Sequence, residues 1–533
     1  MIVVLVRWLF LWLTLFFIGR NFLNHFLEKK DKNSFFVFPS IWLGLALLIA
    51  FLQIISLVLP INSFWVIVLW LILFIISIFS FTNYKKLTLK LNLKLSLFLV
   101  LSVITIILGL YFSIGMVYHY DTYLYNFNAV AWSREFSVVP GLANLHSRLG
   151  FNSSFNLFAA FTEFGLNSGY SVFIANGFLL VTVATQYLHH IFNSKSKIFH
   201  KLIMVFLLPF VYLLLVEGNL SSLSTDLAMY SVILAWMGII LIYPKFKFLI
   251  LAIAVLALVF KLSSIFVLFF SIYFVGKLDK LFLRSVFLSF LIIFGFMLRS
   301  LFISGYPLYP NTFFKTNFTW SLPINEVKNQ ALEIKAWARM PGDDYMSSLN
   351  QGFAYWWPQW WQRASSTSEI KILFFSCFIL GFFASFKKWN KTEFLVLLLC
   401  ISSILFIFYQ APDLRFARVF FWILGALSLA SLIVHWKISD KNKLNFAYLI
   451  LVLLFGKFVF PTIHFMHQPT LFLNELNNFK KIQYKSRITK EGQDLYVPVI
   501  GDQCGNSPLP CTPYFNENLK FIKLNDFRYG FKL

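Results

Sequence analysis

Of 533 residues, 59% are hydrophobic and 13% are charged, a balance that excludes a soluble globular protein, which needs more polar surface to cover a core of this size. The net charge of +23 does not point to nucleic acid, because most of the lysines sit in short segments between apolar runs, where they serve membrane topology. Those runs reach the roughly 20 residues that a helix needs to cross hydrocarbon, and the period-2 alternation of a transmembrane barrel is absent.

The chain therefore reads as an all-α polytopic membrane protein with about thirteen transmembrane helices. A transmembrane domain covers 1–462, and a small C-terminal exoplasmic domain covers 463–533. In chain order the expected spans are 1–18, 37–59, 63–81, 95–117, 170–192, 200–216, 226–243, 248–276, 285–304, 371–386, 393–409, 415–435 and 445–462. No small-residue cleavage site follows the first run, so it reads as a span rather than a signal peptide.

Lysine and arginine set the orientation. One series of loops carries Arg20, Lys29, Lys30 and Lys32, then Lys85, Lys86, Lys90 and Lys94, then Lys195, Lys197 and Lys201. It continues through Lys245 and Lys247, Lys277, Lys280 and Arg284, then Lys387, Lys388 and Lys391, and finally Lys437, Lys441 and Lys443. The alternate short loops near 60–62, 217–225 and 410–414 hold neither lysine nor arginine up to Asp413. By the positive-inside rule the basic series is cytoplasmic. The run 248–276 breaks the alternation, because both flanks are basic and Lys261 interrupts its centre. It reads as a re-entrant helical hairpin with both ends cytoplasmic, the alternative being one tilted helix with a buried lysine. With the hairpin in place, both termini and the two long loops, 118–169 and 305–370, fall on the exoplasmic side.

The chemistry is expected in those loops. Asp121, in Tyr120-Asp121-Thr122 just past a span, is placed to act as a general base on a hydroxyl, or simply to cap the next helix. Further along the same loop, His146 and Arg148 carry groups that bind phosphate or sugar hydroxyls. Asp226 and Glu217 are the alternative acids, Asp226 also being favoured at a helix N-terminus. Arg299, Arg415 and Arg418 lie at the outward ends of spans, where guanidinium groups clamp a lipid phosphate or snorkel to headgroups. Lys261 joins this set as a candidate for substrate binding or for organising the bundle. Tyr120, Trp356 and Trp357 are candidates for stacking a sugar, although tryptophans such as those in Tyr355-Trp356-Trp357-Pro358-Gln359-Trp360-Trp361 also populate membrane interfaces without a ligand. Cys504 and Cys511 sit in a turn-rich part of the tail, and an oxidising exoplasmic setting favours a disulfide between them, with Cys377 and Cys400 free. No motif supports a cofactor, and no spacing supports a metal, a divalent cation included.

A multi-span protein with an acid in an exoplasmic loop flanked by interfacial helices resembles the GT-C class of membrane glycosyltransferases. Three additional spans precede the acidic loop here, and Phe260-Lys261-Leu262-Ser263-Ser264 is similar to a turn of that class but lacks its proline. A closer resemblance is to an uncharacterised family of large bacterial inner-membrane proteins. It rests on Tyr120-Asp121-Thr122, Val139-Pro140-Gly141-Leu142, Asn144-Leu145-His146-Ser147-Arg148-Leu149, Phe151-Asn152-Ser153-Ser154, Pro412-Asp413-Leu414-Arg415-Phe416, Gly501-Asp502-Gln503-Cys504 and Pro510-Cys511-Thr512-Pro513. The resemblance to GT-C enzymes implies transfer of a sugar from a polyprenyl-phosphate-linked donor to a glycan, lipid or protein acceptor, with Asp121 as the acid. It also implies a place in the bacterial cytoplasmic membrane, with the active site facing outward. The alternatives are an O-antigen or capsule polymerase or ligase, and a transporter or flippase, although no internal repeat marks two transporter halves.

Overall fold

A computed structural model describes residues 1–25, 36–80, 93–115, 117, 119–164, 171–193, 196–276, 280–342, 344–383, 389, 391–465 and 482–533. The basic positions Lys29, Lys30, Lys32, Lys85, Lys86, Lys90, Lys195, Lys277, Lys387 and Lys388, together with Tyr118 and the tail segment 466–481, lie outside the described residues.

The chain is a mostly helical membrane protein. Among the described residues, nine helices are long and apolar enough to cross a bilayer: Ile2–Leu23, Val37–Ile55, Leu93–Ser113, Ile198–Val216, Thr225–Ile242, Val286–Ser304, Lys391–Gln410, Leu414–Val434 and Asp440–Thr462. The other four expected spans are helical but differ in physical character. Phe64–Phe79 has only 16 residues. Ala175–Asn193 is less apolar because its polar side chains tie neighbours together: Trp12 donates to Thr182 at 2.7 Å, Trp42 to Gln186 at 2.7 Å, and Tyr187 to the Leu234 carbonyl at 2.8 Å. Such groups are tolerated in hydrocarbon only when satisfied inside the bundle. Ser368–Phe383 follows the tryptophan-rich helix Phe353–Ala364 at a bend of 93°, so that helix lies crosswise to its successor.

The run with lysine at its centre is a hairpin. Lys247–Phe260 and Ile265–Val275 are separated by an extended Lys261 and a 3-10 turn over Leu262–Ser264. Lys247 Nζ donates to the Val275 carbonyl at 2.9 Å, whereas a straight helix of that length would hold its ends about 40 Å apart. Two carbonyls freed by the break find donors: Ser153 Oγ reaches Phe260 at 2.7 Å and Ser264 Oγ reaches Lys261 at 3.0 Å. Lys261 is therefore a hairpin tip, not the middle of a span.

The most enclosed helices are Ala175–Asn193, Ile198–Val216, Thr225–Ile242, Lys247–Phe260 and Leu414–Val434, while Leu93–Ser113 and Asp440–Thr462 lie at the periphery. At one end of the bundle, the tail folds as two antiparallel hairpins. In the first, β1 (Tyr484–Ile488) pairs with β2 (Asp494–Pro498), with Tyr484 opposite Pro498; in the second, β3 (Lys520–Lys523) pairs with β4 (Asp526–Lys532), with Lys520 opposite Lys532. Among its described residues, the tail does not bury a core of its own. Leu495, Leu519, Phe521 and Phe531 join Trp132, Leu142, Tyr306 and Tyr309 in one apolar cluster shared with the loops before and after the central helices.

Candidate functional site

The helix Leu93–Ser113 ends before His119, and a π-helical turn over Thr122–Asn126 leads into the helix Phe127–Glu135. Asp121 immediately precedes that turn but makes no side-chain capping bond, which removes the plain structural role weighed from sequence. Its carboxylate instead faces two guanidinium groups: Arg148 Nη1 at 4.0 Å and Arg415 Nη1 at 3.6 Å. Both distances lie beyond a hydrogen bond, so these contacts are electrostatic and leave the oxygens able to accept from another partner.

Each cation of the cluster is anchored by a carboxylate, two of them from distant segments and one from its own helix cap. Arg148 Nη2 pairs with Glu333 at 3.2 Å, and the Arg148 guanidinium stands 5.9 Å from the Tyr125 ring centre. Arg415 Nη2 pairs with Asp413 at 3.2 Å, and Asp413 also caps its helix by accepting from the Arg415 backbone N–H at 2.9 Å. Lys261, from the hairpin tip, pairs with Asp226 and lies 4.2 Å from the centre of the Phe416 ring. Thr122 Oγ1 accepts from the Leu223 N–H at 3.2 Å, fastening the acidic turn to the segment that leads to Asp226. Three cations and four carboxylates thus converge from six stretches of chain.

His119 belongs to the same cluster. Burial holds its imidazole below the ordinary histidine range, partly countered by Asp121 and Asp226 and reinforced by Arg415 and Lys261. It lies two residues before Asp121, but the sequence reading passed over it in favour of the acid. Burial likewise opposes the charge on Arg148, but Tyr125, Glu333 and Asp121 outweigh it and raise its proton affinity. Burial raises the Tyr125 phenol, and so does the nearby Asp121 charge.

The other expected site residues lie apart from Asp121. Glu217 is bound by Arg418 through both carboxylate oxygens, one at 2.8 Å, while Arg418 Nε reaches Glu369 at 2.9 Å. This half-buried clamp joins Ser368–Phe383, Leu414–Val434 and the loop after Ile198–Val216. Arg299 is buried and donates to Asn152 at 3.1 Å, Ser56 at 3.1 Å and Ser133 at 2.8 Å, locking three segments together. Neither arginine faces the acid, contrary to the placement expected from span ends. His146 is buried with its ring 5.5 Å from Tyr514; burial, with Arg148 beside it, pushes its pKa down to about 3. Trp356 is buried, with the Arg339 guanidinium 4.9 Å from its ring, and Trp357 stacks on Phe353, Trp360 and Trp361. The aromatic helix is thus largely satisfied by itself and by Phe408. The Tyr120 hydroxyl is taken by Asp502; burial and that bond raise the phenol.

Cys504 and Cys511 are joined in a disulfide, and Cys377 and Cys400 are free. The loop that the disulfide closes lies against the acidic turn: Gln503 donates to the Tyr120 carbonyl at 3.1 Å and Gly505 N–H to the Tyr123 carbonyl at 2.8 Å. On the far side of the tail, Phe531 N–H donates to the Pro140 carbonyl at 2.9 Å. Gly141 has φ +66°, and a Cβ there would lie 2.0 Å from the Phe531 oxygen, so only glycine fits this contact. Among the described residues, no three His, Cys, Asp or Glu side chains come together as a metal site.

The chain matches, over residues 1–422, a family described as a domain of unknown function, DUF8201, and it belongs to that family. No curated protein and no solved structure matches it.

Proposed function

We propose that this DUF8201 member is a glycosyltransferase of the cytoplasmic membrane, GT-C-like in architecture, that moves a sugar from a polyprenyl-phosphate-linked donor to a hydroxyl of a glycan, lipid or protein. The carrying observation is that Asp121 faces the Nη1 groups of Arg148 and Arg415 without bonding either. A phosphate oxygen placed across those two groups gains charge-assisted hydrogen bonds, with Lys261 adding charge nearby. Asp121 then takes the proton of the acceptor hydroxyl as that oxygen bonds to the anomeric carbon. The bond from that carbon to the phosphate oxygen breaks, and the guanidinium groups stabilise the charge that develops on the leaving phosphate.

On the positive-inside reading of the sequence, this cluster and both termini face the exoplasm, where polyprenyl-linked sugars are consumed. The test is transfer from a polyprenyl-phosphate sugar by purified protein in liposomes. Asp121→Asn should lower turnover about 100-fold or more while retaining donor binding; near-normal transfer by that variant would refute the role. The hairpin tip at Lys261 favours a second reading, a transporter or flippase for an anionic lipid-linked substrate, since broken helices mark transport sites. Movement of labelled lipid across liposomes without chemical transfer would select it.

A further inference from the structure

Asp413 faces two ways. Beyond its pair with Arg415 it lines a groove of about 200 Å³ between Ile324–Arg339, Phe353–Ala364 and the start of Leu414–Val434. Trp337, Trp360, Arg363 and Pro412 form the rest of the part that matters. Trp360 is fixed because its indole N–H donates to the Pro412 carbonyl. Trp337, in contrast, is 48% exposed, its indole meeting the Tyr345 ring edge-on at 5.4 Å. Arg363 is held by the Arg339 carbonyl at 2.6 Å through Nη2, and its Nη1 makes no hydrogen bond among the described residues.

The groove therefore offers an open indole, a guanidinium donor and a carboxylate acceptor. A phosphate or acidic sugar would meet Asp413 at close range, and a bare hydrocarbon chain would desolvate two charged groups without bonding them. A neutral polyhydroxyl ring satisfies all three: its C–H face lies on the indole, and its hydroxyls donate to the carboxylate and accept from the guanidinium. We propose that this groove binds a neutral saccharide, and, resting on the transferase reading above, that it is the acceptor subsite. Asp413 then links the two halves of the reaction, because the carboxylate that binds acceptor hydroxyls also orients Arg415 toward Asp121.

The experiment uses the purified full-length chain in nanodiscs, without donor, on an array of neutral and acidic oligosaccharides, with polyprenyl phosphate binding measured in parallel. Capture of neutral glycans is expected. Trp337→Ala and Arg363→Gln should each weaken that capture by about tenfold while polyprenyl phosphate binding changes less than twofold. The inference is overturned if no neutral glycan is captured, if acidic glycans are preferred, or if both variants bind glycan as the parent does. Glycan capture that is lost in these variants, in a protein that transfers no sugar, would sink the transferase reading and leave the saccharide site standing. Transfer that depends on Asp121 but is indifferent to Trp337 and Arg363 would do the reverse.

Discussion

Arg415 and Arg418 lie one helical turn apart, yet the structure gives them opposite kinds of work, and replacing each with glutamine separates the two. Arg418 is about one-fifth exposed and is bonded to Glu217 and Glu369, themselves 15% and 9% exposed. Arg418→Gln leaves two neighbouring carboxylates without their cation, and breaking a buried pair in this way costs about 3–5 kcal/mol. Arg415 is 42% exposed, with contacts of 3.6 Å to Asp121 and 3.2 Å to Asp413. Solvent screens such pairs, so Arg415→Gln should cost about 1 kcal/mol or less in stability. If Arg415 holds a phosphate, the same change removes a charge-assisted hydrogen bond of about 1.5–3 kcal/mol, on the order of 10- to 150-fold in affinity. Melting in detergent, followed by tryptophan fluorescence, should fall sharply for Arg418→Gln and little for Arg415→Gln. Polyprenyl phosphate binding by the folded fraction should show the opposite ranking. Equal melting losses, or unchanged binding by Arg415→Gln, would show that the division of labour is wrong.

His146 predicts an acid-sensitive fold. Its pKa of about 3 lies below the ordinary histidine value near 6.5, so the unfolded chain takes up a proton first as pH falls. Its contribution is complete above 6.5, declines by about 1.4 kcal/mol per pH unit toward 3, and amounts to a loss of about 2 kcal/mol by pH 5. His146→Asn should therefore flatten the dependence of melting on pH between 7.5 and 5; an unaltered slope contradicts the assignment. Reducing the Cys504–Cys511 disulfide should weaken the tail by on the order of 2–3 kcal/mol and expose it to protease before the helices are cut. Equal resistance of oxidised and reduced protein would show that the bridge does not hold the tail down. In a background lacking Cys377 and Cys400, Lys245→Cys and Gly276→Cys, both at exposed positions, should react with an impermeant thiol reagent from the same face of the membrane, as the hairpin requires. Reaction from opposite faces would restore a single crossing.

Much of the frame was legible because each signal is local. Apolar runs locate the helices, and the basic flanks of 248–276 with Lys261 between them point to a hairpin. The bond between Lys247 and Val275 bears that geometry out. The pairing of Cys504 with Cys511 was legible for the same reason, since the two lie close along the chain. The roles of the arginines were not, because they are decided by partners far away in sequence: Arg418 and Glu217 are 201 residues apart, and Arg148 and Glu333 are 185 apart. At an outward helix end, a clamp and a ligand look alike until the opposing carboxylate is in place. The same holds for Asp121, whose capping and catalytic readings are indistinguishable in sequence, and for Trp356 and Trp357, whose neighbours along the helix absorb their faces.

The pairing pattern at the cluster bears on how such a site would avoid idle chemistry. Glu333, Asp413 and Asp226 each hold one cation, so three charges are already balanced before any substrate arrives. Asp121 alone has no dedicated partner and shares the outward Nη1 groups of two arginines. Those same groups are where a phosphate would bind, so phosphate and Asp121 compete for the same positive potential. The competition is settled most easily when Asp121 gains a proton, which it can draw from an acceptor hydroxyl. Glu217 already gives both oxygens to Arg418, whereas the Asp121 oxygens bond neither arginine, which is a physical reason to place the base at Asp121 and not at the more tightly bound acid.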